Sequence, residues 1–181
     1  HWMEEWLALL DEDDQLLLEQ AAVIGRAVDE TLWEHVTDDA DARLPLGRVQ
    51  IDIRAARRRA AVVNRLIGAG LAYDTDVGFT FTHPALVEVL VERARASGRL
   101  AAHHRACANH LRRMPLPDHA LALGHHLAEA QVWDEAAIAI LDGIAFHWQF
   151  RDRRPLLTEL ERAERCVAAA GWPEDDPRRS Q

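Results

Sequence analysis

The sequence predicts a mainly α-helical fold with one short β-hairpin. In most of the 181 residues, apolar side chains recur every three or four positions, which is the period of an amphipathic helix. Between residues 71 and 82 two short runs flank turn-forming residues, and the second run alternates strictly, which is typical of a hairpin. After residue 118, short Ala-rich helical segments follow one another. The content of 49% hydrophobic and 28% charged residues is that of a folded globular chain, with room for one ordinary or two small domains.

The first long helix is predicted from Asp11 to Ile24. Asp13 or Asp14 is the expected N-cap, because a short acidic side chain can accept from the free N–H groups of the first turn. Gly25 is expected to end the helix. Residues 1–10 carry several Trp and Leu residues and are predicted to form a helical stub that packs on the same core.

Two more helices are predicted before the hairpin. Asp29 is expected to cap a short helix that carries Leu32 and Trp33. Residues 37–47 are rich in Asp, Ala, Pro and Gly and are predicted to form a loop. A third helix is expected from about 51 to 69, with an apolar side and a basic side.

The hairpin is predicted from 71–74 and 79–82, joined by the turn-forming residues between them. His83-Pro84 follows, and Pro at the first position of a helix restricts the preceding residue to extended backbone. His83 is therefore expected to join the last strand to a new helix. Three helices and then a hairpin is the winged-helix arrangement, so residues 11–96 are predicted to form a winged-helix domain with the hairpin as its wing.

The rest of the chain is predicted to be a helical array. Ser97 is expected to cap a helix from 98 to 113 within a linking segment, 97–117. Residues 118–172 are predicted to form TPR-like antiparallel helical hairpins, and 173–181 a flexible tail. The helices of the array are expected at 118–130, 133–148 and 152–170, with small residues at Gly124, Ala136 and Gly143 where two helices approach closely.

The composition excludes several functions. All 21 basic residues are Arg, so the chain holds neither a P-loop lysine nor a Schiff-base lysine. We find none of the nucleophile or phosphate-loop motifs of enzymes, and therefore expect a non-catalytic chain without a cofactor of its own. The net charge of -9 disfavours nucleic acid as the partner.

Localisation and completeness are also predicted from the sequence. The acidic N-terminus is unlike a signal peptide, and the apolar runs are too short to span a bilayer, so we expect a cytoplasmic protein without membrane contact. A start at His1, with Met3 two positions later, and a polar Pro-containing end suggest a fragment of a longer polypeptide.

Cys and His residues are the candidate metal ligands of this chain. Cys107 and Cys166 are isolated among apolar helical residues and are expected to be buried hydrophobes. His103 and His110 share a helix face, and His125 is one turn from Glu129, but no arrangement of four ligands follows from these spacings. We therefore expect no metal site.

Four strings resemble one family. Leu18–Arg26 resembles the opening helix of the winged-helix domain in signal-transduction ATPases with numerous domains, which include LuxR-type, MalT-like and AAA-type bacterial regulators. Phe79–Val87 is similar to their signature of Phe, His and Leu after the wing. Leu100–Ala106 matches an Arg-rich helix entry only in part, because Ala-Ala-His stands where Arg is usual, and His125–Ala130 is similar to the first repeat helix.

The resemblance implies a regulatory role in signal transduction and transcription. It implies an upstream nucleotide-binding domain that carries the P-loop and binds ATP or ADP, and helical repeats that sense a protein or a ligand. His83 is then implied to contact the β-phosphate of ADP. A helix N-terminus favours an anion there, and the imidazole can donate a hydrogen bond. The alternative is that His83 only satisfies a backbone group.

The third helix carries a second candidate surface. Its basic side is suited either to DNA, as in DNA-binding winged helices, or to another domain of the same protein. The net charge, together with Asp74 and Asp76 on the wing, favours the interdomain face. Two other functions remain open: a winged-helix transcriptional regulator with a helical effector domain, and a TPR-like adaptor. The basic residues concerned are Arg54, Arg57, Arg58, Arg59 and Arg65.

Overall fold

The computed structural model describes residues 2–40, 53–149, 156–173 and 175–180. They are mainly helical, with a small three-stranded antiparallel sheet, which confirms the predicted fold class at this level. The chain divides into two compact units, 1–106 and 107–181. Within the described ranges, no helix combines the length and the apolar character needed to cross a membrane.

The first unit begins with α1, Trp2–Leu7, and α2, Glu12–Ile24. Leu7 is buried in the core, as predicted for the N-terminal stub. The N-cap of α2 is Asp11, whose carboxylate accepts from the N–H of Asp14 at 2.8 Å. The prediction of Asp13 or Asp14 as the cap is therefore wrong, because both lie inside the first turn, where their charges still favour the positive end of the helix.

The next elements are β1, Ala27–Asp29, and α3, Glu30–Ala40. Asp29 caps α3 as predicted, since its carboxylate accepts from the N–H of Leu32 at 2.9 Å. The predicted loop is wrong for residues 37–40, which continue the helix; the rest of that loop, 41–47, lies outside the described residues. Within this extension, the hydroxyl of Thr37 donates to the carbonyl of Glu34 at 2.7 Å.

The third long helix, α4, is Ile53–Gly68, and the first two residues of its predicted span lie outside the described part. The hairpin is confirmed as β2, Ala72–Thr75, and β3, Gly78–Phe81. The sheet order is β1-β3-β2, with both neighbours antiparallel. The sequence did not predict β1, which pairs with the free edge of β3 through Val28 and Phe79.

Aromatic residues connect the sheet to the helices in the core of the first unit. The ring of Phe79 lies edge-on to Trp33 at 5.4 Å and to Phe81 at 5.3 Å between centroids. The indole N–H of Trp33 donates to the carbonyl of Leu17 in α2 at 3.0 Å. The fully buried aliphatic residues of this core include Leu18, Leu66, Leu71, Leu86 and Leu90.

Two helices follow the sheet: α5, Pro84–Ala96, and α6, Leu100–Arg113. The prediction that Ser97 caps the second of these is wrong. Its hydroxyl donates instead to the carbonyls of Arg93 at 2.9 Å and Ala94 at 3.1 Å, at the end of α5. The carbonyls of a last helical turn have no partner further along the helix, so a nearby hydroxyl stabilises them.

The second unit holds α7, Ala120–Glu129, α8, Trp133–Gln149, and α9, Leu156–Ala170. These match the three predicted helices, except that 152–155 lie outside the described residues. A β-carbon added to Gly124 would lie 2.4 Å from Ile140, and one added to Gly143 would lie 2.7 Å from Leu121. Early residues of α7 thus face late residues of α8, so the two helices run antiparallel in the close contact that the small residues predicted.

The end of the second unit returns to the start of α8. The indole N–H of Trp172 donates to the carboxylate of Asp134, and Arg178 donates to the same carboxylate at 2.8 Å. The guanidinium of Arg178 also lies 4.1 Å from the centre of the Trp172 ring. Arg178, in the segment predicted as a flexible tail, is therefore in contact with α8.

Candidate functional site

The hairpin positions His83 at the start of α5. Directly after β3, the N–H of Thr82 donates to the carbonyl of Leu71 at 2.9 Å, and its hydroxyl donates to the carbonyl of Gly70 at 2.9 Å. These two bonds fix the chain where it leaves the sheet. Pro84 then begins the helix, and its ring keeps the preceding residue out of the helical region.

His83 is the N-cap residue of α5, with φ -113° and ψ 114°, as expected before a proline. Its imidazole makes no capping hydrogen bond, and the residue is exposed. The ring of Trp2 lies edge-on to it, with the centroids 5.9 Å apart. The imidazole therefore lies at the positive end of a helix of 13 residues, on the surface of the first unit.

Arg26 is a basic residue beside this position that the sequence reasoning did not select. Its Nε donates to the carbonyl of Phe81 at 3.1 Å, and a terminal nitrogen lies 3.5 Å from the carbonyl of Thr82. A guanidinium is thus held against the two residues that precede His83. Arg26 is the last residue of the first string that resembles the signalling ATPases. Its contact with this position could not be predicted, because its partner carbonyls lie about 55 residues further along the chain.

The predicted basic side of α4 contacts the acidic start of α2. The Nε of Arg58 donates to Asp14 at 2.7 Å, a terminal nitrogen donates to Asp13 at 2.7 Å, and the other pairs with Asp11. Arg65 reaches the second oxygen of Asp14 at 2.8 Å. The hydrogen bond to Asp14 raises the pKa of Arg58 above its ordinary value. The charges of Arg58 and Arg65, both predicted to face DNA or another domain, are therefore largely compensated within the unit.

The other arginines of the predicted basic side lie in different environments. Arg59 is only 5% exposed, and its guanidinium donates to Glu34 at 2.5 Å and to Thr37 at 3.0 Å. Its assignment to the basic side is therefore wrong. Arg54 and Arg57 lie on exposed positions of α4. The five residues thus do not form one open surface.

A buried carboxylate of α2 binds an arginine of α5 and the arginine directly before α6, and the sequence did not predict it. Glu19 of α2 has no exposed surface, and both of its oxygens accept from Arg99, at 3.0 and 2.8 Å. Arg93 of α5 donates to it at 3.2 Å, and Nε2 of His103 in α6 lies 3.6 Å away, beyond hydrogen-bond distance. Burial alone raises the pKa of Glu19, but the nearby His103 and Arg99 outweigh burial and lower it below the ordinary value.

The candidate metal-ligand histidines do not lie around a common site. His103 and His110 are both buried in α6. Nε2 of His125 lies 2.6 Å from Glu159 of α9. In the described ranges, no three His, Cys, Asp or Glu side chains come together as a metal site.

The two cysteines are buried and free, as predicted. Burial raises the pKa of the Cys107 thiol to about 12 and also raises the pKa of Cys166. Because a thiol must ionise to act as a nucleophile or a metal ligand, neither residue is suited to either task at neutral pH.

Comparison with protein families, curated proteins and solved structures found no match to this chain.

Proposed function

We propose that the chain is a non-catalytic regulatory part of a bacterial signalling ATPase with numerous domains. The first unit would be a winged-helix domain that docks on the nucleotide-binding domain of the same polypeptide. The second unit would be the start of a TPR-like array that senses a protein or a ligand. ATP or ADP would bind to the nucleotide-binding domain and not to this chain alone.

The position of His83 is the observation that carries this proposal. The imidazole is exposed, makes no capping bond and lies at the N-terminus of α5 directly after the hairpin. In the family that the sequence resembles, the corresponding His is implied to contact the β-phosphate of ADP. The positive end of α5 and the neighbouring guanidinium of Arg26 both favour an anion at this position.

The order of elements supports a winged-helix domain. Helices α2, α3 and α4 precede a hairpin, and β1, between the first two helices, pairs with β3 of that hairpin. A short third strand of this kind attaches the hairpin to the helices. In the second unit, the close antiparallel packing at Gly124 and Gly143 supports a TPR-like hairpin, in which small residues let two helices approach.

The regulatory mechanism follows from linkage between two binding events. In the ADP-bound resting form, the first unit would dock on the nucleotide-binding domain and His83 would donate to the phosphate. Binding of a partner to the helical array would favour a form in which the first unit is not docked on the nucleotide-binding domain, and so would weaken the docking. By reciprocity, ADP would weaken binding of the partner by the same factor.

The contacts of α4 argue against the DNA-binding alternative. Arg58 and Arg65 are paired with carboxylates of α2, and a phosphate would have to compete with those carboxylates. Asp74 and Asp76 on the hairpin add negative charge near the same helix. In the adaptor alternative, the chain would bind a peptide or a protein, and this binding would not depend on a nucleotide.

The test is substitution of His83 in the full-length polypeptide. We expect His83→Ala to release bound ADP about 10-fold to 100-fold faster, since one hydrogen bond to a charged group is lost, and to raise basal signalling. Dissociation of a fluorescent ADP analogue measures the rate. His35→Ala, which alters an exposed histidine of α3, is the control.

Two results would contradict the proposal. An unchanged ADP release rate in a folded His83→Ala protein would remove the role of His83. Absence of a Walker A motif from the coding frame upstream would remove the nucleotide linkage and leave the regulator or adaptor function.

A further inference from the structure

A cavity of about 180 Å³ opens in the first unit between α3, α4 and the hairpin. Its lining includes the buried aromatic rings of Trp33 and Phe79 and the partly buried Val63. The function proposed above does not use this cavity, which is formed by different residues from those around His83.

Two carboxylates give the cavity a negative charge. Glu30 at the start of α3 and Asp74 on β2 both line it, and both residues are exposed. Within the described part of the chain, neither side chain has a hydrogen bond or an ion pair. Arg59 also lines the cavity, but its guanidinium is bound by Glu34 and Thr37, so its charge is already compensated.

We propose that this cavity binds a guanidinium or a primary ammonium group. Such a group donates several hydrogen bonds at once, and bonds from a cation to carboxylates are about twice as strong as neutral ones. The side-chain amide of Asn64 adds an oxygen acceptor in the same lining. Phosphates and nucleotides are disfavoured because Glu30 and Asp74 would repel their negative charge.

The size of the cavity limits the ligand to a small group on a slender stem. Sites for drug-sized molecules are roughly 300–1,000 Å³, well above the volume here. Ala60 and Val63 of α4 form apolar lining against which a methylene chain can pack. An arginine or lysine side chain of another protein, and a free amine such as agmatine, share this chemistry.

Titration of the whole chain with agmatine, followed by NMR of the backbone amides, tests the proposal. We expect saturable shifts at Asn64 and Gly78, both of which line the cavity. Glu30→Gln combined with Asp74→Asn should weaken binding about tenfold or more, because two charge-assisted bonds are replaced by neutral ones. Asp76→Asn makes the same charge change in the hairpin turn, outside the cavity, and should leave binding unchanged.

Matched ligands complete the experiment. Nα-acetylarginine amide should bind and the neutral Nα-acetylcitrulline amide should not, since acetylation removes the α-ammonium from both and they then differ mainly in the guanidinium charge. Tighter binding of an acetylated Arg-containing tripeptide amide than of agmatine assigns the site to a protein segment, and the reverse order assigns it to a free amine.

Three results would overturn the proposal: no saturable shift with agmatine, binding of Nα-acetylcitrulline amide equal to that of Nα-acetylarginine amide, or equal binding of agmatine by the charge-removed variant. If the double variant fails to fold, Asp74→Asn alone, compared with Asp76→Asn, makes the same distinction. None of these results depends on the nucleotide linkage proposed above.

Discussion

The two units are stabilised by different kinds of contact. In the first unit, charged side chains cross between helices, and the buried carboxylates of Asp14 and Glu19 pair with arginines that stay partly exposed. In the second unit, helices approach at glycines, and the buried polar groups include the imidazole of His126. The first unit should therefore be sensitive to removal of charge, and the second to added volume and added protons.

Removal of the buried carboxylate should have the largest effect on the first unit. We expect Glu19→Ala to lower the free energy of unfolding by about 3 kcal/mol, because Arg93 and Arg99 lose their shared partner. This figure is at the low end for buried pairs because both guanidiniums are more than a third exposed and can regain water. Urea unfolding followed by circular dichroism measures the change.

Glu92→Ala provides the comparison for that variant. Glu92 forms an exposed i,i+3 pair with Arg95, and its loss should change stability by less than about 0.5 kcal/mol. If the Glu19 and Glu92 variants were equally stable, the buried carboxylate would contribute nothing beyond a surface pair.

Mild acid should distinguish the second unit from the first. Burial, with a smaller contribution from the charge of His125, lowers the pKa of His126 to about 4. The unfolded chain therefore binds more protons between about pH 6.5 and 4, and stability falls as the pH decreases through that window. We expect the wild-type protein to lose about 2 kcal/mol of unfolding free energy between pH 7 and 5 through His126, and the His126→Leu variant to lack this loss. The His147→Gln variant should keep it. Urea unfolding at each pH measures the difference.

The buried carboxylate of the first unit responds in a different window. The pKa of Glu19 is held below its ordinary value, so its contribution is complete above about pH 4.3 and is lost as the pH falls through the lower folded value. An equal loss between pH 7 and 5 in the wild type and in His126→Leu would contradict the assignment of that loss to His126.

Added volume should have a smaller effect. Gly124→Ala places a β-carbon 2.4 Å from Ile140 and should destabilise the second unit by about 1–2 kcal/mol, despite the better helix propensity of Ala. Gly68→Ala at the end of α4 meets nothing within 4 Å and should stabilise the first unit by up to about 1 kcal/mol. Thermal unfolding of both variants measures the difference, and a neutral Gly124→Ala would show that α7 and α8 can move apart freely.

The sequence predicted the features that depend on neighbouring residues. Amphipathic periods located the long helices, and alternation around a turn located the hairpin, because each signal lies within a few positions. The strand β1 was missed because three residues, Ala27–Asp29, are too few to show alternation; its strand conformation comes from pairing with β3 about 50 residues later. The wrong cap of α2 has a local reason, since Asp11, Asp13 and Asp14 are chemically equivalent candidates.

The candidate site was predicted in part for the same reason. The position of His83 follows from the adjacent Pro84, and its place at the start of α5 is confirmed. The partners of Arg26 and Arg58 could not be predicted, because they lie more than 40 residues away in sequence. The sequence indicates only that Glu19 lies in a helix, and no local pattern distinguishes a buried glutamate from an exposed one.

The close approach at Gly78 restricts how this hairpin can change. A β-carbon at this position would lie 2.2 Å from the carbonyl oxygen of Val28, and the φ of 154° is rarely adopted by residues with a side chain. Any replacement would push β1 away from β3 and open the sheet next to α3. Random mutagenesis with selection for folded protein should therefore retain glycine here, while the exposed Val77 beside it accepts many residues.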